Sequence, residues 1–71
     1  MTQCQMIKEY IEVHGSITAK DAMNDLGVMR LAARIQDLEH QGYPITSSME
    51  NGINRFGEPT RYARYSKRVS Q

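Results

Sequence analysis

Residues 18–42, TAKDAMNDLGVMRLAARIQDLEHQG, contain two helical patterns with only Leu26-Gly27-Val28 between them. The first pattern opens with a capping box, because the hydroxyl of Thr18 and the carboxylate of Asp21 can each accept a hydrogen bond from a free backbone N–H. Glycine then supplies the left-handed conformation that commonly ends a helix. The stretch therefore predicts two closely joined helices, at about residues 19–26 and 29–41.

Each of these helices has one apolar side. In the first helix we expect a buried stripe of Ala22, Met23 and Leu26. In the second helix the apolar residues recur at i, i+4 and i+7, which predicts that the buried residues are Leu31, Ile35 and Leu38, with Ala32 beside them. The opposite side of the second helix is then expected to display Arg30, Ala33, Arg34, Asp37 and Gln41.

The flanking sequence adds one helix and one hairpin. A capping box at Thr2 and Gln5 begins a predicted helix over residues 3–14, and Ser16-Ile17 can add a short strand to a sheet formed elsewhere. After Pro44 the apolar period changes to two, with turn residues between two β-prone runs, which predicts an antiparallel hairpin over residues 45–65. We expect Tyr62 and Tyr65 to cover the core beneath the sheet and Phe56 to pack within the hairpin. Residues 1–71 should form one domain with a frayed tail at residues 66–71.

A short glycine-containing turn between two helices is the physical requirement of a helix-turn-helix, because so few linking residues force the helices to cross steeply. The outer face of the second helix is then free to contact a partner. Arg30 and Arg34 flank the small Ala33, which would let the backbone approach a groove closely. Arginine can bind guanine O6 and N7 with two hydrogen bonds, or it can clamp a phosphate.

The charges of the chain are unevenly distributed. Residues 1–29 carry two lysines against four acidic residues, a net charge of −2, whereas residues 30–71 carry seven basic against four acidic residues, a net charge of +3. From Asn51 onward the basic residues face only one acidic residue, Glu58. A polarised molecule with one basic end suits an anionic partner.

Composition and spacing argue against several other classes of protein. The single cysteine, Cys4, excludes an internal disulfide and a cysteine-based zinc cluster, and His14 and His40 lack metal-ligand spacing. The sequence carries no phosphate-binding glycine loop and no nucleophile motif, so we expect neither catalysis nor a cofactor. No apolar run approaches the ~20 residues of a membrane span, and no signal peptide is evident. We therefore expect a soluble, cytoplasmic protein.

The segments GSITAKDAMNDLGVMRLAARIQDLEHQGYPI and NRFGEPTRYARY resemble small bacterial and phage-encoded winged helix-turn-helix proteins, over roughly residues 3–66. The resemblance implies an α+β fold, a three-helix winged helix-turn-helix with a C-terminal β-hairpin wing. It also implies sequence-specific binding of double-stranded DNA, with the third helix in the major groove and the wing on the backbone or in the minor groove. The DNA-binding residues expected on this basis are Arg30, Ala33, Arg34, Asp37, Arg55, Arg61 and Arg64.

Several alternatives stay open. Arg30 and Arg34 can be solvated helix residues, with Arg34 paired to Asp37, and the basic hairpin residues can simply keep a sheet edge soluble. The function can be that of a small transcriptional regulator of phage or mobile-element type, binding as a homodimer or a cooperative assembly. It can also be that of an excisionase-like factor that bends DNA. A third possibility is a module that docks on a replication or transcription protein.

Overall fold

The computed structural model describes residues 2–68, and these residues form three helical segments and a three-stranded antiparallel sheet. The first helix, α1, is Gln3–His14, and the short strand β1 is Ser16–Thr18. Helix α2 begins as Ala19–Asp21 and continues as a π-helical segment, Ala22–Leu26, before helix α3, Leu31–His40. Strands β2, Ile45–Ile53, and β3, Pro59–Lys67, complete a sheet in the order β1-β3-β2.

Both predicted capping boxes are confirmed. The hydroxyl of Thr2 accepts a hydrogen bond from the backbone N–H of Gln5 at 3.2 Å, and the Gln5 side chain accepts from Thr2 N at 2.9 Å. Thr18 and Asp21 make the same pair of bonds at 3.2 and 3.1 Å. Thr18 is also the last residue of β1, so one buried threonine ends the strand and starts α2. These bonds satisfy backbone donors that a helix start otherwise leaves without partners.

The hairpin is confirmed and is longer than predicted. Its register runs without interruption from the pair Ile45 and Lys67 to the pair Ile53 and Pro59. Ser66 and Lys67 belong to β3, and Arg68 N donates to Pro44 O at 3.0 Å. The expected frayed tail at residues 66–71 is therefore wrong for its first two residues, because Ser66 pairs with both β1 and β2 and Lys67 pairs with β2. Residues 69–71 lie outside the described residues.

The core lies between α1, α3 and the sheet. Leu31, Ile35 and Leu38 are buried as predicted, and the rest of the buried hydrophobic set is Ile7, Ile11, Ile17, Ala22 and Val28. Met23 is 48% exposed, so its predicted burial beside Ala22 and Leu26 is wrong. The π-helical turn explains the error, because its wider hydrogen-bonded rings change the direction of successive side chains from that of a regular α-helix.

The two tyrosines of β3 lie on opposite faces of the sheet, since successive residues of a strand alternate. Tyr65 packs against the core as expected and pairs with the buried Ile17 of β1. Tyr62, three residues earlier, faces the other side, where its Cε1 would lie 3.0 Å from a Cβ placed on Gly52. Only one of the two predicted core tyrosines therefore covers the core.

A polar cluster joins α1 to the start of β2 and the end of β3. Glu12 Oε1 accepts a hydrogen bond from the Tyr43 hydroxyl at 2.9 Å and lies 3.1 Å from Lys67 Nζ. Burial, and then the hydrogen bond to Glu12, raise the pKa of Tyr43 to about 12, while Lys67 and then Tyr43 lower the pKa of Glu12.

Within residues 2–68, no helix combines the length and apolar character needed to cross a membrane.

Candidate nucleic-acid interface

The turn between α2 and α3 depends on a left-handed glycine and a buried valine. Gly27 has φ 70° and ends α2, and Val28 N donates to Ala22 O at 2.9 Å. Val28 is buried and anchors the turn in the core, whereas Met29 is exposed. Arg30 has φ −123° and ψ 64°, outside the helical region, so it is the N-cap of α3. Helix α3 therefore begins at Leu31, two residues later than predicted.

The position of Arg30 leaves its side chain exposed just before the first turn of α3. A guanidinium has no hydrogen-bond acceptor, so it cannot cap the backbone N–H groups of that turn. No side-chain capping bond is present at this helix start, in contrast to α1 and α2. The start of α3 thus combines an exposed cation with the absence of a side-chain cap.

The outer face of α3 differs from the predicted one. Successive residues of an α-helix are rotated by about 100°, so the direction opposite Leu31, Ile35 and Leu38 falls near Ala33, Gln36 and His40. The exposed residues of α3 are Ala32, Gln36, Glu39 and His40, with Gln41 exposed after its end. Arg34 and Asp37 are half-buried and lie toward one flank of the helix, whereas Ala33 is half-buried near the centre of the outer face. Sequence reasoning missed Gln36, although the same periodicity could have found it.

The side chain of Arg34 is paired within α3, and its backbone contacts α1. Its Nε lies 3.2 Å from Asp37 Oδ2, in an ion pair that lacks hydrogen-bond geometry, and this Nε atom is itself buried. The backbone oxygen of Arg34 lies 3.9 Å from the Cys4 sulfur of α1. The alternative that Arg34 pairs with Asp37 is therefore confirmed. A DNA contact by Arg34 would have to compete with that pair.

The wing tip, residues 54–58, is an ordered turn built around Asn54. Its side-chain oxygen accepts hydrogen bonds from Phe56 N at 2.9 Å and from Glu58 N at 3.0 Å. Asn54 N also donates to Glu58 O at 2.9 Å, which closes the turn across its base. Arg55 and Phe56 are consequently presented to solvent, and Phe56 is 79% exposed. The expectation that Phe56 packs within the hairpin is wrong, because the turn bonds direct the chain outward at that residue.

The two arginines of β3 lie on opposite faces of the wing. Arg61 is exposed and is paired with Asn51 in the register. Arg64 is half-buried, and its Nε donates to Glu50 Oε1 at 2.9 Å while its Nη1 donates to Ser16 Oγ at 2.9 Å. The Arg64 guanidinium lowers the pKa of Glu50, and Glu50 in turn raises the pKa of Arg64. The sequence did not reveal this difference, because it arises from pairing with strands that are distant along the chain.

A groove of about 710 Å³ lies between the start of α2 and the wing. Its basic residues are Lys20, Arg55 and Arg64, and Asp21 is the acidic residue of its lining. Among residues 2–68 no cluster of three or more histidine, cysteine, aspartate or glutamate side chains could hold a metal ion. The candidate interface comprises helix α3 and the wing, and this groove lies beside the wing.

Comparison with known families agrees with the architecture. A family model described as a winged helix-turn-helix domain matches residues 2–67, which includes all three helices and the whole hairpin. No match was found for the chain among curated proteins, and none among solved structures. Domains of this class are typically DNA-binding modules without enzymatic activity. The match spans nearly the whole sequence, and the chain belongs to the winged helix-turn-helix family.

Proposed function

We propose that this protein binds double-stranded DNA in a sequence-specific manner and acts as a small transcriptional regulator of phage or mobile-element type. One observation carries the proposal. The side chains of Arg30, Arg55 and Arg61 are exposed and make no ion pair or hydrogen bond within the described part of the chain. The remaining two candidate arginines, Arg34 and Arg64, are committed to Asp37 and Glu50. Arginine side chains without an internal partner, at the start of α3 and on the wing, can bind a polyanion that extends across both elements.

Helix α3 is the element proposed to enter the major groove. A docked helix-turn-helix places the residues of the first turns of its second helix on base edges. Here these are the N-cap Arg30 and, within α3, the small Ala32 and Ala33 and Gln36. Arginine can bind guanine and glutamine can bind adenine, each with two hydrogen bonds, and the alanines permit close approach. Arg34 and Asp37 would border this contact as a pair.

The wing is the element proposed to position the protein on the duplex. Arg55 lies at the ordered tip, and Arg61 lies on the exposed part of β3. Contacts of arginine with phosphate or the minor groove fix the register of a protein on DNA but carry little sequence information. We therefore assign base reading to α3 and orientation to the wing.

A salt titration of binding, followed by fluorescence anisotropy, tests this division. Duplexes selected from a random pool by the protein are compared with scrambled versions. Arg30→Ala and Gln36→Ala should each lose about 1–3 kcal/mol on the selected duplex and much less on the scrambled one. Arg55→Ala should weaken binding to both and lower the salt slope by about 1. If Arg30→Ala and Gln36→Ala lose equal binding free energy on both duplexes, α3 does not determine the sequence specificity.

An architectural role is the second candidate, favoured by the apolar residues of the wing. Phe56 is 79% exposed at the tip, and Ile53 is exposed near it. Proteins that bend DNA frequently insert an apolar side chain between base pairs of the minor groove. Fluorescence resonance energy transfer between the ends of a bound duplex measures bending. A bend that disappears in Phe56→Ser but persists in Arg61→Gln would favour this role over simple regulation.

A further inference from the structure

Strand β2 forms one edge of the sheet, and its outward backbone groups can be identified from two hydrogen bonds. Arg68 N donates to Pro44 O at 3.0 Å, and Asn54 N donates to Glu58 O at 2.9 Å. Both pairs continue the β2–β3 register, so the even-numbered residues of β2 are the ones bonded to β3. The N–H and C=O groups of the odd-numbered residues therefore point away from the sheet. These residues are Ile45, Ser47, Met49, Asn51 and Ile53.

This edge lacks the features by which proteins usually prevent pairing of exposed strands. Natural edges are short, bulged, or interrupted by lysine or proline. Strand β2 has nine residues in unbroken register and contains no lysine, arginine or proline. Its one charged residue, Glu50, is neutralised by Arg64 at 2.9 Å. Within residues 2–68, no hydrogen bond reaches the outward groups of the odd-numbered residues.

The same strand also leaves large apolar side chains uncovered. Met49 is 56% exposed and Ile53 is 75% exposed, and both lie on the sheet face that carries Tyr65. A strand added at the β2 edge would place side chains directly beside them. The edge therefore offers apolar contact together with backbone hydrogen bonds.

We propose that β2 pairs antiparallel with β2 of a second copy of this chain, about a two-fold axis at Met49. In this register Met49 of one copy lies opposite Met49 of the other, and Ile45 lies opposite Ile53. Ser47 lies opposite Asn51, and Glu50 lies opposite Ser48, so no like charges face each other. The odd-numbered residues then form the hydrogen-bonded pairs, each exchanging two N–H···O bonds, which is what their outward orientation requires.

The symmetry of the register has a structural consequence. Residues directly opposite in an antiparallel pair share one face, so the core-facing side chains of both copies lie on the same side of a six-stranded sheet. Helix α3 of each copy then also lies on that side. If the proposed DNA binding holds, the dimer would favour a target site with two-fold symmetry, as other dimeric helix-turn-helix proteins do.

Sedimentation equilibrium without DNA tests the interface, so its result does not depend on the DNA proposal. The wild type should reach twice the 8.1 kDa chain mass as its concentration rises. Met49→Lys and Met49→Glu should each remain monomeric, because like charges meet at the axis, and an equimolar mixture of the two should recover the dimer. Thr46→Lys is the matched control, because residue 46 lies opposite the uncharged Gly52 in the second copy, and its dimer should be far more stable than that of Met49→Lys.

Circular dichroism melts check that each variant is folded. A wild type that stays monomeric up to about 1 mM chain would overturn the proposal. So would dimers of Met49→Lys and Met49→Glu as stable as those of the wild type, since the two-fold axis would then lie elsewhere. Failure of the mixture to associate, with both variants folded, would likewise exclude this register.

Discussion

Arg64 and Glu50 form an ion pair across β3 and β2, with 2.9 Å between Nε and Oε1. Because Nη1 of the same guanidinium donates to Ser16 Oγ in β1, one side chain contacts all three strands. The wing is thereby joined to the sheet at the point where β1 ends. Arg64 is thus a structural residue of the wing, in contrast to Arg61.

The pair predicts an acid-dependent loss of stability. The pKa of Glu50 is lowered by its hydrogen bond with Arg64 and then by Tyr62, so ionised Glu50 stabilises the folded state. This contribution is present above the ordinary glutamate pKa of 4.5 and is lost as the pH falls through the lowered folded-state value. In urea unfolding, Glu50→Gln should lower the midpoint at neutral pH and reduce the steepness of the acid-side decline.

Glu12 provides the control for that measurement, because Lys67 and Tyr43 also lower its pKa. Glu12→Gln should remove a separate part of the same acid-side decline, and the double variant should show the sum of the two effects, since they belong to different clusters. A Glu50→Gln profile that parallels the wild-type profile at every pH would contradict a role for the Arg64 pair in stability.

The buried side of α3 gives a second prediction. Leu38 is 2% exposed, so Leu38→Ala should lower the free energy of unfolding by about 2–5 kcal/mol through lost burial and a cavity. Gln36→Ala on the exposed side of the same helix should change it by less than about 0.5 kcal/mol. Urea melts of both variants measure the difference. Equal losses would mean that the helix is rotated from its observed orientation.

The turn before α3 gives a third prediction. Gly27 has φ 70°, and no atom beyond its chain neighbours lies within 4 Å of the position that a Cβ would take, so a side chain there meets backbone strain and no steric clash. Gly27→Ala should cost about 1–2 kcal/mol of stability. Gly27→Asn should cost less, because asparagine adopts the left-handed region more readily. Thermal melts that rank alanine above asparagine would contradict this explanation.

Local signals predict most of the fold correctly. The two capping boxes, Gly27 at the end of α2, and the spacing of Leu31, Ile35 and Leu38 all depend on residues close in sequence. The wrong predictions arise where the structure depends on residues distant in sequence or where a helix is irregular. The exposure of Met23 follows from a π-helical turn, which a period of 3.6 residues cannot describe. The pairing of Arg64 depends on the register of three strands, which the sequence of one strand does not contain.

The candidate site is predicted less completely than the fold, because exposure of a polar residue leaves little signal in the sequence. The expected exposure of Arg30 is confirmed, and Arg55 is exposed as well. Arg34, by contrast, is half-buried beside Asp37. The predicted outer face of α3 lies too far toward one flank, and it therefore omits Gln36. The roles of these residues in DNA binding stay predictions.

The last prediction compares the two arginines of β3 on DNA. Arg61 is exposed and has no side-chain partner in the described residues, so it can neutralise a phosphate without breaking an internal contact. Arg64 would first have to leave Glu50 and Ser16. Arg61→Gln should therefore lower the salt slope of DNA binding by about 1 and leave the unfolding midpoint unchanged.

Arg64→Gln should show the reverse pattern, since it removes the same formal charge from the same strand but breaks the contacts with β1 and β2. The urea midpoint of its unfolding should fall. The salt slope of its DNA binding, measured without urea on the folded variant, should stay close to the wild-type value. Anisotropy titrations and urea melts of the two variants separate these outcomes. If Arg64→Gln lowers the slope and Arg61→Gln does not, DNA contacts the sheet face that carries Tyr62 and Arg64, and the groove beside α2 becomes part of the interface.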